Sequence, residues 1–239
     1  MIANVHSIET FSSLDGPGIR YVLFLQGCNL ACKYCHNIDT IPRINYKQMS
    51  VDEVVNDFLK YKAFYQDGGI TISGGEPLLQ LDFIIALFEK LKEYNVHTAI
   101  QTQGTIFQDN PKFRKLIDLT NLFIVDLKGV NNTEVKKITN VKLDNTFLLL
   151  DILNKENKKF YITYVLVPEI NNSNYHIEEL GKILKRFNQA NYKFKVLKYH
   201  KLGLDKWTQL GIKYELDKYR EATSKDVGEF LDKLKSYIQ

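Results

Sequence analysis

All three cysteines of this chain fall within eight residues, Cys28-Asn29-Leu30-Ala31-Cys32-Lys33-Tyr34-Cys35, at the spacing C-x3-C-x2-C. Directly upstream runs Tyr21-Val22-Leu23-Phe24-Leu25, a continuous apolar stretch with the length of a buried strand. The thiols therefore leave the end of a core strand together, so a rigid element positions them. Thiolates are soft ligands that select zinc, copper(I) or an iron–sulfur cluster. A closed zinc site takes four protein ligands, and a four-iron cluster is normally held by four cysteines. Three thiolates leave one position open, where a small molecule can coordinate. A disulfide would strand one thiol in a loop too tight for a useful crosslink. Zinc with His36 as fourth ligand competes, but His36 directly follows Cys35, and neighbouring residues rarely point at one metal. Three unrelated buried thiols are a further alternative, against which their confinement to one loop counts.

The rest of the chain alternates between two periodicities. Met1 to Arg20 predicts a short extended segment, then a loop through Ser12-Ser13-Leu14-Asp15-Gly16-Pro17-Gly18, which is dense in turn formers. Ser50-Val51-Asp52-Glu53 is a capping box, followed by Val51, Val54, Val55, Phe58 and Leu59 at helical spacing. Further strands are predicted at 69–73, 96–102, 122–125, 160–167 and 192–199. Helices are predicted at 81–94, 111–119, 145–155, 174–187 and from Ser224 onward. Six strands alternating with helices imply a parallel sheet with right-handed crossovers, in one domain spanning 1–239. Eight units would close a barrel, whereas six predict an open one.

In parallel β/α folds, functional groups collect at the carboxyl ends of strands. The cysteine loop, Gly74-Gly75-Glu76, Thr102, Asp126 with Lys128, and His200 all lie at such ends. A Gly-Gly pair lets backbone approach a ligand closely, although it also makes ordinary turns. Glu76 offers a carboxylate to an ammonium group. Asp126 and Lys128 read equally well as a surface ion pair, His200 as a loop cap, and Asp15 as a turn carboxylate bonding its own backbone.

Composition excludes several classes. The 44% apolar and 25% charged fractions are those of an ordinary globule. No segment reaches the ~18 apolar residues that span a bilayer, and the N-terminus lacks a charged-then-apolar leader, so no membrane association is expected. The net charge of +4 comes from lysines interspersed with acids, as in Lys155-Glu156-Asn157-Lys158-Lys159, and predicts no nucleic-acid face. Three cysteines give no disulfide framework, which predicts a reducing cytoplasm.

C-x3-C-x2-C with Tyr34 before the last cysteine resembles the cluster loop of the radical S-adenosylmethionine enzymes. Asp15-Gly16-Pro17-Gly18-Ile19-Arg20, then Gln26-Gly27-Cys28 and Cys35-His36-Asn37, resemble the glycyl-radical activases of the pyruvate formate-lyase type. The likeness runs from His6 to about Trp207. It implies an α/β fold of partial (β/α)6, TIM-like architecture, and a [4Fe–4S] cluster on Cys28, Cys32 and Cys35. It also implies S-adenosylmethionine held by Tyr34, Cys35, His36, Gly74, Gly75, Glu76, Asp126, Leu127, Lys128 and His200. Asp15 would meet the substrate peptide, and a monovalent cation would sit near Thr102 and Asp126. The implied partners are a glycyl-radical enzyme such as pyruvate formate-lyase, and flavodoxin or ferredoxin as electron donor. A chain with no further cysteines matches the compact activases, not those with a ferredoxin-like insert. Two positions depart from the pattern: Gln101 replaces an aspartate linked to the cation, and Thr163 replaces an arginine, whose forked contacts a hydroxyl cannot reproduce. The same scaffold acting on a small molecule, as in 7-deazaguanine-forming synthases, is the alternative enzyme; a zinc-stabilised binding module is the alternative outside enzymes.

Overall fold

The structure is a computed structural model and describes residues 1–42, 44 and 46–238. Its strands are β1 (Ile2–Ser12), β2 (Arg20–Leu25), β3 (Lys47–Ser50), β4 (Gly69–Gly74), β5 (Thr98–Thr102), β6 (Leu122–Asp126), β7 (Lys159–Leu166) and β8 (Tyr192–Lys198). Its helices are α1 (Val51–Lys60), α2 (Leu81–Lys92), α3 (Pro111–Leu119), α4 (Asn132–Ile138), α5 (Asp144–Lys155), α6 (Asn174–Leu184), α7 (Leu204–Gln209) and α8 (Ser224–Ile238). One sheet runs β3-β1-β2-β4-β5-β6-β7-β8. The six predicted strands, β2 and β4 to β8, pair in parallel, and the sheet stays open as a partial barrel.

Side-chain alternation builds the layers. Ile100, Phe123, Val125, Phe160 and Ile162 join the main core with residues of the helices, such as Ile84, Leu116, Leu150 and Leu180. Their sequence neighbours Ala99, Leu122, Ile124 and Tyr161 cluster separately on the opposite face, as period-2 alternation requires. The capping box at α1 is formed: the Glu53 amide donates to Ser50 Oγ at 3.2 Å, and the Ser50 amide donates to Glu53 Oε2 at 2.7 Å. Such a cap contributes about 1 kcal/mol.

The fold adds elements that the sequence did not predict. The N-terminal segment is a full strand, β1, antiparallel to both β2 and β3, and extends the sheet beyond the parallel six. β3 buries only Met49, too little for an alternation signal. Helices α4 and α7 are also additional, and the strand predicted from Val96 begins at Thr98. At the other edge, β8 leaves Lys193, Lys195 and Lys198 exposed, with Lys195 Nζ 4.4 Å above the Tyr161 ring.

The turn-rich loop before β2 is pinned from below. Arg20 is fully buried, and its guanidinium donates to Thr71 Oγ1 and to the carbonyls of Pro17, Ile70 and His97. The Thr71 hydroxyl in turn donates to the Asp15 carbonyl at 2.7 Å. Burial lowers the Arg20 pKa to about 10, partly offset by the Asp15 charge, so it stays cationic at neutral pH.

Candidate active site

Two glycines allow the loops at the ends of β2 and β4 to touch. Gly74 sits at φ +121°, and a Cβ there would stand 2.2 Å from the Leu25 carbonyl oxygen. A Cβ on Gly75 would stand 2.2 Å from the Gly27 carbonyl oxygen and 3.0 Å from Cys28 Cβ. Without those atoms the turn closes onto the cysteine loop, and the Glu76 amide donates to the Gly27 carbonyl at 2.8 Å.

A cavity of about 540 Å³ opens at these strand ends, and Cys28, Cys32 and Cys35 all line it. Tyr34, His36, Gly74, Gly75, Asp126 and Lys128 share its wall. So do Asp15, Gln101, Thr102, Val165 and His200, so all six parallel strands contribute their carboxyl ends to one space. Two expected contacts stand behind this wall instead. Leu127 is packed into the main core. The Glu76 carboxylate is 1% exposed and turned inward. It accepts from the Thr102 hydroxyl at 2.6 Å, the Leu78 amide at 3.0 Å and the Gln103 amide at 3.1 Å. Burial raises its pKa to about 7 against the pull of those three donors. Because Thr102 gives its proton to Glu76 and accepts from the Gly104 amide at 2.9 Å, its hydroxyl is largely committed. Gln101 accepts from the Ser73 hydroxyl at 3.2 Å.

The electrostatics centre on Lys128. Burial opposes its charge, but Asp126, with Tyr34 and the cysteines behind it, holds its pKa well above the ordinary value. Lys128 Nζ lies 3.5 Å from Asp126 Oδ2 and 5.6 Å from the Tyr34 ring centroid. Thr163, the position where an arginine was expected, donates its hydroxyl proton to Asp126 Oδ1 and so orients this pair. Burial raises the Cys32 thiol to about 12 and the Cys35 thiol to about 11, with Lys128 pulling the other way; Cys28 is raised as well. Bare thiols here are protonated, and loading a metal must release those protons.

The donor set fits an iron–sulfur cluster. Three thiols share a cavity wall with room beside them for a cofactor. On the far wall, His36 Nε2 donates to the His200 carbonyl at 2.9 Å, and the two rings lie 3.9 Å apart. Among the described residues, His200 Nδ1 is buried without a partner, a polar atom that a bound cofactor can satisfy.

Sequence reasoning missed two neighbours of the thiols. Gln103 follows Thr102 and reaches Cys28 Sγ at 4.0 Å, while its amide is held by Asn29 Oδ1 at 2.8 Å. Trp207, on α7, donates its indole N–H to the Cys35 carbonyl at 2.8 Å. It belongs to a second apolar cluster, with Leu30, Tyr34, Ile38, Tyr199 and Tyr214, that backs the cysteine loop.

A sequence model of the radical SAM superfamily matches residues 22–187, more than half of the chain. A pyruvate formate-lyase-activating enzyme of Staphylococcus epidermidis is 39% identical over 90% of this chain and 88% of its own length. Its counterpart in Streptococcus mutans is 38% identical over 92% of this chain and 86% of its own. Among solved structures, Streptococcus suis SuiB bound to precursor peptide SuiA superposes with a TM-score of 0.68 at 18% identity, covering 98% of this chain and 47% of SuiB. A domain of a pyruvate-formate lyase-activating enzyme from Bacteroides vulgatus gives 0.57 at 19% identity, covering 71% of this chain and 94% of that domain. These two likenesses speak for the fold. The chain belongs to the radical SAM superfamily, on the branch that carries the pyruvate formate-lyase-activating enzymes.

Proposed function

We propose that this chain activates a glycyl-radical enzyme of the pyruvate formate-lyase type by radical S-adenosylmethionine chemistry. The observation that carries the reading is the sharing of one cavity by three thiols and the ends of five further parallel strands, in a chain of this branch. Cys28, Cys32 and Cys35 bind the [4Fe–4S] cluster as thiolates. When bound, the reduced cluster would supply the one electron that splits S-adenosylmethionine into methionine and a 5′-deoxyadenosyl radical, the group that would take a hydrogen atom from a partner's glycine and leave as 5′-deoxyadenosine. The chain's residues orient and enclose. The Gly74–Gly75 turn brings backbone to the methionine end, and Lys128, fixed by Asp126, offers a cation to its carboxylate. Glu76 holds that turn against β5 through Thr102 and Gln103. His36 and His200 face the adenosine end. Asp15, pinned through Thr71 and Arg20, stands where the partner's peptide enters. The walls exclude water from the reacting centre. Flavodoxin or ferredoxin supplies the electron, the chain forms one domain, and its compartment is the reducing cytoplasm.

The test is anaerobic. Reconstituted protein should carry about four irons, and dithionite with S-adenosylmethionine should yield 5′-deoxyadenosine. Adding purified pyruvate formate-lyase should then produce a glycyl-radical doublet by electron paramagnetic resonance. A reducible cluster that cleaves the cofactor but leaves no radical on the partner would refute the substrate; a colourless protein with one zinc would refute the chemistry.

A further inference from the structure

The superfamily match ends at residue 187, yet the back of the cysteine loop is built largely from residues beyond it, among them Tyr199, Trp207 and Tyr214. Helix α7 is fastened to that loop at three successive points. The Trp207 indole donates to the Cys35 carbonyl at 2.8 Å. Lys206 Nζ reaches Asp39 Oδ1 at 3.0 Å and Asn37 Oδ1 at 3.4 Å. Gly203 lies so close that a Cβ there would be 2.9 Å from His36 Cα and 3.0 Å from its carbonyl oxygen. Trp207 is itself held edge-on by Tyr214, with centroids 5.1 Å apart, and Tyr214 donates to the Tyr199 hydroxyl at 2.8 Å.

We infer that Trp207 is a positioning residue for the cluster: its hydrogen bond to the Cys35 carbonyl sets the peptide that joins Cys35 to His36. Rotation of that peptide moves the Cys35 thiol and the His36 imidazole together, because both leave it from opposite ends. One bond from outside the superfamily match thus fixes a thiol and a cavity wall at once, and it ties the segment from Tyr199 to Tyr214 to the metal-binding loop. The inference rests on reading Cys35 as a cluster ligand.

The chain contains a single tryptophan, so one substitution removes every indole. Trp207→Phe keeps a ring against Tyr214 while removing the donor, together with part of the indole's buried volume. In the full-length apo protein, deuterium exchange of amides 28–38 should quicken about tenfold, the worth of one buried hydrogen bond, with β4 to β6 unchanged. In the reconstituted protein, iron should pass to a chelator several-fold faster, and the reduced cluster's resonance should broaden, while the melting temperature falls by only a few degrees. Gly203→Ala retains the indole but wedges α7, and Trp207 with it, away from the loop, and should reproduce both effects if Trp207→Phe folds poorly. Unchanged loop exchange and iron release in the folded variants would overturn the inference alone. An unmodified chain that takes up no iron and sulfide would overturn the cluster reading, and the inference with it.

Discussion

The buried Glu76 carboxylate makes a pH dependence of stability that can be worked from the structure. Its pKa in the fold is about 7 against an ordinary 4.5, because burial disfavours the charge more than its three donors favour it. The folded state therefore binds the Glu76 proton more tightly than the unfolded chain does. Stability from this group is fully present below pH ~4.5 and is lost as pH rises through ~7. At ~1.4 kcal/mol per pKa unit the window carries about 3 kcal/mol. About 2.5 kcal/mol of it is lost between pH 5 and 8, which for a chain of this size corresponds to a fall of roughly 5–10 °C in melting temperature. Burial lowers the pKa of His97 and of His200, which works with the opposite sign. The comparison must therefore be between the unmodified chain and Glu76→Gln, both as apo protein, scanned by calorimetry or dye fluorescence. The variant removes the titration. It also places an amide N–H against the Gln103 amide, a constant penalty of about 1–3 kcal/mol at every pH. Glu76→Gln should melt lower at pH 5, and the gap should narrow by pH 8. Parallel curves for the two proteins would refute the assignment of a buried, titrating carboxylate.

Three further outcomes are expected. Cys32→Ala should leave a folded protein with little or no bound iron and no cofactor cleavage; an undiminished iron content would remove Cys32 from the ligand set. Lys128→Met should weaken S-adenosylmethionine binding by about tenfold to a hundredfold in calorimetry, the range for losing a charge-assisted contact, and an unchanged affinity would refute the contact. Gly75→Ala drives a Cβ to 2.2 Å from the Gly27 carbonyl oxygen, so both iron uptake and cofactor binding should fall; full retention of both would show that the close approach has no functional weight.

The parallel strands were legible because burial on both faces forces continuous apolar runs such as Tyr21–Leu25, and the loop positions followed from the strand ends. Side-chain direction was not. The motif around Glu76 marks a site, but Thr102 and Gln103 on the neighbouring strand turn its carboxylate inward, and a linear sequence does not display that pairing. Thr163 read as a lost arginine, and its hydroxyl instead orients Asp126, a contact 37 residues away. Helix α4 did carry a signal: Asn131 caps the amides of Thr133 and Glu134. Helix α7 carried none, since six residues with one buried tryptophan make no periodic stripe.

An unclosed barrel has two free edges, and each is an invitation to pair with another copy. Here the first edge is β3, only four residues long. The second is β8, whose Lys193, Lys195 and Lys198 would bring like charges face to face in any edge-to-edge approach. The chain can thus keep its cavity open without recruiting its own sheet into a filament, and the lysines that give it a positive net charge are part of what prevents that stacking.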